Sequence, residues 1–167
     1  MRYLLILTAV LFFAWTAYPY LIPPQSPQGG DGIVIRKDLN RLYLFQHGKL
    51  QKVYPAATGR EVELTPEGEF LIAVKEADEK GLGKDKVFGT RWMGLNVPGD
   101  EDGLRFGIHG TNEPDSIGKY ASAGCIRLSN QDAEELYDQV SVGTPVRIMR
   151  GSRIHRLVTD WLKAKVN

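Results

Sequence analysis

Residues 3–22 hold 17 apolar side chains in 20, interrupted only by Thr8, Thr16 and Pro19 and by no charge. As a helix rising about 1.5 Å per residue, that run reaches roughly 30 Å, the thickness of a bilayer's hydrocarbon core. It has no polar face, so it does not suit the amphipathic helix of a water-soluble body. Arg2 precedes it and Asp31 is the next charge after it. The positive-inside rule therefore predicts a membrane anchor at residues 1–22, N-terminus in the cytoplasm and the rest of the chain outside. A cleaved signal segment is the alternative; Ala14, Trp15 and Thr16 make the nearest cleavage site, and a poor one.

The next stretch, residues 23–31, contains Pro23, Pro24, Pro27, Gly29 and Gly30 and reads as a linker. The catalytic or binding body is expected at 32–150. All 18 glycines lie beyond the apolar run, which points to many tight turns. Short runs rich in β-branched and aromatic residues predict strands at 33–35, 42–45, 50–57, 70–74, 105–109 and 146–149. Gln46, His47, Gly48 and Lys49 read as the turn of a hairpin. Gly-containing polar loops are expected at 81–86 and 98–103.

One helix is clearly signalled. Ser129 followed by Asp132 resembles a capping box, and Ala133, Leu136, Tyr137 and Val140 fall on one face before Gly143. A second, basic and amphipathic helix is expected within 151–167. There Arg150, Arg153, Arg156, Lys163 and Lys165 face only Asp160. It is read as packing on the body, with an anionic surface as the alternative. The formal charge of +1 argues against a nucleic-acid partner. His47 and His155 are assigned no chemistry. A single cysteine excludes an internal disulfide and any Cys-rich zinc site, and no metal or cofactor is implied.

That cysteine, Cys125, sits in the run Ser122, Ala123, Gly124, Cys125, Ile126, Arg127, with His109 and Gly110 sixteen residues upstream. A thiol is only a few per cent ionised at neutral pH, and an imidazole that takes its proton and then pairs with it makes it a nucleophile. Gly124 lets a carbonyl approach the backbone closely. Backbone N–H groups at Gly124 and Cys125 are candidate oxyanion donors. Arg127 would share a face with Cys125 in an extended chain, and its planar fork suits a carboxylate.

At these residues the chain closely resembles the L,D-transpeptidase catalytic domain family. The likeness runs through His109, Gly110, Thr111 and Asn112, then Ser116, Ile117 and Gly118, then Ser122 to Asp132. Outward it reaches Tyr54 to Gly59, Thr65 to Phe70, Arg91 to Leu95 and Gly143 to Val146. The resemblance implies a mainly β, sandwich-type fold with one or two short helices. It implies Cys125 as nucleophile, His109 as base, a backbone carbonyl such as that of Gly110 orienting the ring, and Gly124, Cys125 and Gly110 as backbone groups of the site. Arg127, Ser122 and Asn112 are the substrate-binding candidates.

The implied substrate is the peptidoglycan stem tetrapeptide, cut with release of D-Ala and joined 3→3 through a cysteine thioester. L,D-carboxypeptidase activity or D-amino acid exchange are alternatives on the same site, and a non-catalytic wall-binding module is a third. Inhibition by carbapenem-type β-lactams is also implied. Two positions depart from the family pattern: Ala123 stands where many members carry a second histidine, and Ala57 where serine is common. Trp92 and Met93 are read as core, with a wall of the substrate site as the alternative.

Overall fold

The computed structural model describes residues 23–27 and 30–151. The expected anchor at 1–22 and the amphipathic helix expected at 153–165 lie outside the described residues. Among the described residues no helix is long and apolar enough to cross a membrane.

Ten strands and one helix make up the unit Gln25–Arg150. They are β1 Gly32–Arg36, β2 Arg41–Gln46, β3 Lys49–Pro55, β4 Thr58–Gly59, β5 Gly68–Ala77, β6 Arg91–Leu95, β7 Gly107–His109, β8 Tyr120–Ser122, β9 Ile126–Arg127 and β10 Pro145–Met149, with α1 at Asn130–Gln139. Eight strands form one continuous sheet in the order β3-β2-β1-β10-β5-β6-β7-β9, and β4 pairs with β8.

The expected mainly β fold is realised as one continuous sheet that curls at a shared strand. The first residues of β5 pair with β10, Phe70 against Val146. Its later residues pair with β6, and the register shifts between Ile72 and Val74. A bulge bends a strand and increases its twist, so β5 can serve two layers without a break.

Burial follows position in the sheet. β1 lies between β2 and the parallel β10, and all five of its residues are buried. Its unbroken apolar run is what a strand covered on both faces requires. In β2 the alternation splits: Leu42 and Leu44 enter the main core with Tyr54, Ile72 and Ile108, whereas Tyr43 and Phe45 join Val34 in a second cluster. β3 is an edge strand and mostly exposed. The β2–β3 turn has positive φ at both His47 (53°) and Gly48 (69°), the signature of the two-residue turn that matches strand twist.

The helix begins where its capping box predicts. Ser129 Oγ accepts the Asp132 N–H at 3.1 Å. Ala133 and Leu136 are buried. At the other end, Lys75 Nζ from β5 donates to the carbonyls of Tyr137 and Val140, both at 2.7 Å, satisfying carbonyls that have no partner within the helix. Lys75 thus holds the helix to the sheet as well as capping it.

Ser129→Ala removes the N-terminal cap and is expected to lower stability by about 1 kcal/mol; an unchanged urea midpoint would contradict this role.

Candidate active site

The site is built on the edge where β9 lies parallel to β7. Ile108 pairs with Ile126 and His109 with Arg127. Ile108 and Ile126 are fully buried in the main core, so alternation turns His109 and Arg127 to the opposite face. Cys125 immediately precedes β9. The chain between is shaped by a 3-10 turn at Pro114–Ser116, where Ser116 Oγ donates to the Glu113 carbonyl at 2.7 Å.

His109 is almost fully buried, 3% exposed. Its Nδ1 lies 2.5 Å from the Gly110 carbonyl oxygen. A carbonyl can only accept, so Nδ1 carries the proton and Nε2 keeps the lone pair. The ring stacks on Trp92, centroids 5.5 Å apart, and meets the edge of Phe88 at 5.0 Å. Trp92 is therefore both a core residue and a wall of the site, and its Nε1 donates to the Gly103 carbonyl at 2.9 Å. Met93 is wholly core.

The Gly110 carbonyl is itself anchored. Asn130 Oδ1 accepts the Thr111 N–H at 2.8 Å. Gly110 donates its N–H to the Arg91 carbonyl at 3.2 Å. A Cβ on Gly110 would fall 2.2 Å from Asn130 Oδ1, so only glycine fits.

Cys125 is partly exposed, and its thiol donates to the Arg105 carbonyl at 3.5 Å. Asp100 arranges that acceptor: its carboxylate takes N–H bonds from Leu104, Arg105 and Phe106, at 2.7 Å for the last. Burial pushes the Asp100 carboxyl up, but the backbone N–H bonds outweigh it and hold the group below the usual carboxylate range.

Electrostatics depart from the expected ion pair. Burial presses the His109 imidazole down to about 4; the Gly110 carbonyl opposes this and the positive Arg127 adds to it. Burial likewise raises the Cys125 thiol above its ordinary value, against the pull of the Gly107 N–H and Arg127. Burial thus favours the neutral form of both groups.

The remaining candidates divide. Gly124 N–H donates to Ser122 Oγ at 3.0 Å, and Ser122 Oγ donates to the Cys125 carbonyl at 2.6 Å. Ser122 is buried and shapes the nucleophile loop, and its hydroxyl is committed within that loop. Gly124 N–H is likewise committed, which leaves the Cys125 N–H as the oxyanion candidate. Asn112 Nδ2 donates to the Asp85 carbonyl at 3.0 Å, tying its loop to the one that carries Phe88. Arg127 pairs with the exposed Glu113 carboxylate, and its backbone forms a bridge with Ala57 at 2.8 and 2.9 Å. Ala123 is exposed, so a larger side chain there would project outward. Among the described residues no group of three or more metal-ligating side chains occurs.

A mainly β sheet with one helix thus carries a cysteine just before a parallel edge strand and a buried histidine on the neighbouring strand, a candidate nucleophile and base. Residues 30–148 match the L,D-transpeptidase catalytic domain, and the chain belongs to that enzyme family. It is 38% identical over 137 residues to "Putative L,D-transpeptidase YqjB" of Bacillus subtilis (strain 168), covering 77% of each. The fold matches the NMR structure of the catalytic domain from E. faecium L,D-transpeptidase, with a TM-score of 0.57 and 23% identity over 72% of this chain and 98% of that one. It also matches L,D-transpeptidase 3 from Mycobacterium tuberculosis in complex with a faropenem-derived adduct, with a TM-score of 0.56 and 23% identity. That match covers 72% of this chain, which spans 60% of the length of the mycobacterial one.

Two measurements check the neutral pair. The rate of Cys125 alkylation by iodoacetamide should climb steadily from pH 7 to beyond 9; a plateau reached below pH 7 would mean a preformed ion pair. Because the folded His109 binds its proton only near pH 4 and the unfolded one near 6.5, stability is lost as pH falls through that window, by on the order of 3 kcal/mol. His109→Gln should show a shallower loss of Tm between pH 6.5 and 4 than the wild type.

Proposed function

We propose that the chain is a peptidoglycan L,D-transpeptidase that forms 3→3 cross-links through a Cys125 thioester. The observation that carries this reading is the tautomer of His109. With Nδ1–H given to the Gly110 carbonyl, Nε2 is the basic nitrogen left to take a thiol proton.

In the first half-reaction Sγ attacks the carbonyl of the third, L-configured residue of a tetrapeptide stem while Nε2 takes the thiol proton. The carbonyl oxygen becomes an oxyanion facing the Cys125 N–H. Collapse breaks the bond to D-Ala, whose amine takes the proton from the imidazolium, and leaves the thioester. In the second half-reaction the side-chain amine of another stem's third residue attacks that thioester. Its proton passes to Nε2, then to the departing thiolate, which restores the neutral pair.

The low basicity of His109 favours the acid half of this cycle. An imidazolium with a pKa near 4 is a strong acid, so it delivers its proton to the leaving amine readily. Arg127 binds a substrate carboxylate once Glu113 yields it. Residues 1–22 hold the domain at the membrane, outside the cytoplasm and facing the wall. The faropenem-derived adduct of the mycobacterial relative supports acylation of this chain by the same class of β-lactam.

Cys125→Ala should reduce D-Ala release from a tetrapeptide muropeptide by about 10³-fold or more. Intact-mass spectra after incubation with a carbapenem should show one adduct on the wild type and none on the variant. Release that persists in Cys125→Ala would remove the sulfur from the reaction.

A further inference from the structure

Consecutive peptide units around the nucleophile are held by side chains. Ser122 Oγ takes the Gly124 N–H at 3.0 Å and gives its proton to the Cys125 carbonyl at 2.6 Å. Between those two groups, the Gly124 carbonyl accepts from Thr65 Oγ1 at 2.6 Å. The same Thr65 oxygen accepts the Gly59 N–H at 2.9 Å. A hydroxyl has one proton to give, and here it goes to Gly124.

Thr65 is 1% exposed and stands on a rigid base. Its own carbonyl accepts from Lys37 Nζ at 2.7 Å, and so does the Val62 carbonyl. The Glu67 carboxylate lies 3.1 Å from the same ammonium. Lys37 is therefore buried with several partners and locks the loop that presents the hydroxyl.

The peptide joining Gly124 to Cys125 is trans, so its carbonyl and N–H point in opposite directions. Holding the carbonyl against Thr65 turns the Cys125 N–H the other way, to within hydrogen-bonding reach of its own Sγ. That is where an oxyanion would form. The hold matters because Gly124 has φ +142°, and a Cβ there would lie 2.6 Å from the Leu64 carbonyl oxygen. Close packing demands glycine, and glycine is the residue whose peptide turns over most easily.

We propose that Thr65 is a positioning residue: its hydroxyl keeps the Gly124–Cys125 peptide from flipping, and so keeps the Cys125 N–H aimed at the acyl oxygen. This rests on the acyl-transfer reading above.

The test separates two reactions of the same sulfur. Acylation by a carbapenem passes through an oxyanion, whereas alkylation by iodoacetamide does not. Thr65→Val keeps the shape and removes the donor, and Thr65→Ser keeps the donor. Carbapenem acylation should slow by about 10- to 100-fold in Thr65→Val, with alkylation within about 2-fold of wild type, and Thr65→Ser should restore acylation. If Thr65→Val does not give a cooperative melt, Thr65→Ala, which also removes the donor and adds no thiol, takes its place with the same expected split. Equal slowing of both reactions, or acylation unchanged from an active wild type, overturns the role of Thr65. A wild-type chain that is alkylated but never acylated overturns the acyl-transfer reading itself and the proposal with it.

Discussion

The parallel register of β7 with β9 is the constraint on which the site depends. A parallel neighbour places matched residues on the same face, so burying Ile108 and Ile126 together obliges His109 and Arg127 to emerge together. Cys125 stands immediately before that short strand. β9 is only two residues long, and it is fastened on its far side by the backbone bonds between Arg127 and Ala57. A one-residue slip would bury the imidazole's position in the core and expose an isoleucine, a cost far above that of losing two ladder bonds. The core thus sets the relative placement of His109 and Arg127.

Electrostatics then decide how that pair works. Low-dielectric surroundings disfavour both an imidazolium and a thiolate. Arg127 favours the thiolate while disfavouring the imidazolium, and the two influences leave a neutral resting state. A resting thiol reacts less readily with oxidants than a thiolate does.

Much of this was legible in the chain itself, for local reasons. The helix cap needs only Ser129 and Asp132, and the β2–β3 turn only His47 and Gly48. The resemblance drew His109, Cys125 and Arg127 together because their motif spans few residues. β6 escaped detection: Arg91, Trp92, Met93, Gly94 and Leu95 have no period-2 alternation, and Gly94 weakens the strand signal. Gly94 is there because a Cβ would fall 1.8 Å from the Gly103 carbonyl oxygen, a contact made across a loop. Phe88, Asp100, Thr65, Lys37 and Asn130 were passed over for the same reason. Each acts on a group brought near by pairing between distant segments, and Asp100 in particular reads as an ordinary loop acid. Ser122 and Asn112 are expected at a ligand; Ser122 bonds within its own loop and Asn112 to the backbone of another, which a motif alone does not reveal.

The Arg127–Glu113 pair changes what recognition means at this edge. The guanidinium is not waiting in water for an anion; it already holds a carboxylate from its own chain. An incoming carboxylate therefore competes with another carboxylate rather than with hydration. Charge drops out of that comparison, since one anion replaces its like. What remains is fit, and the loop bearing Glu113 sets the standard that any guest must exceed.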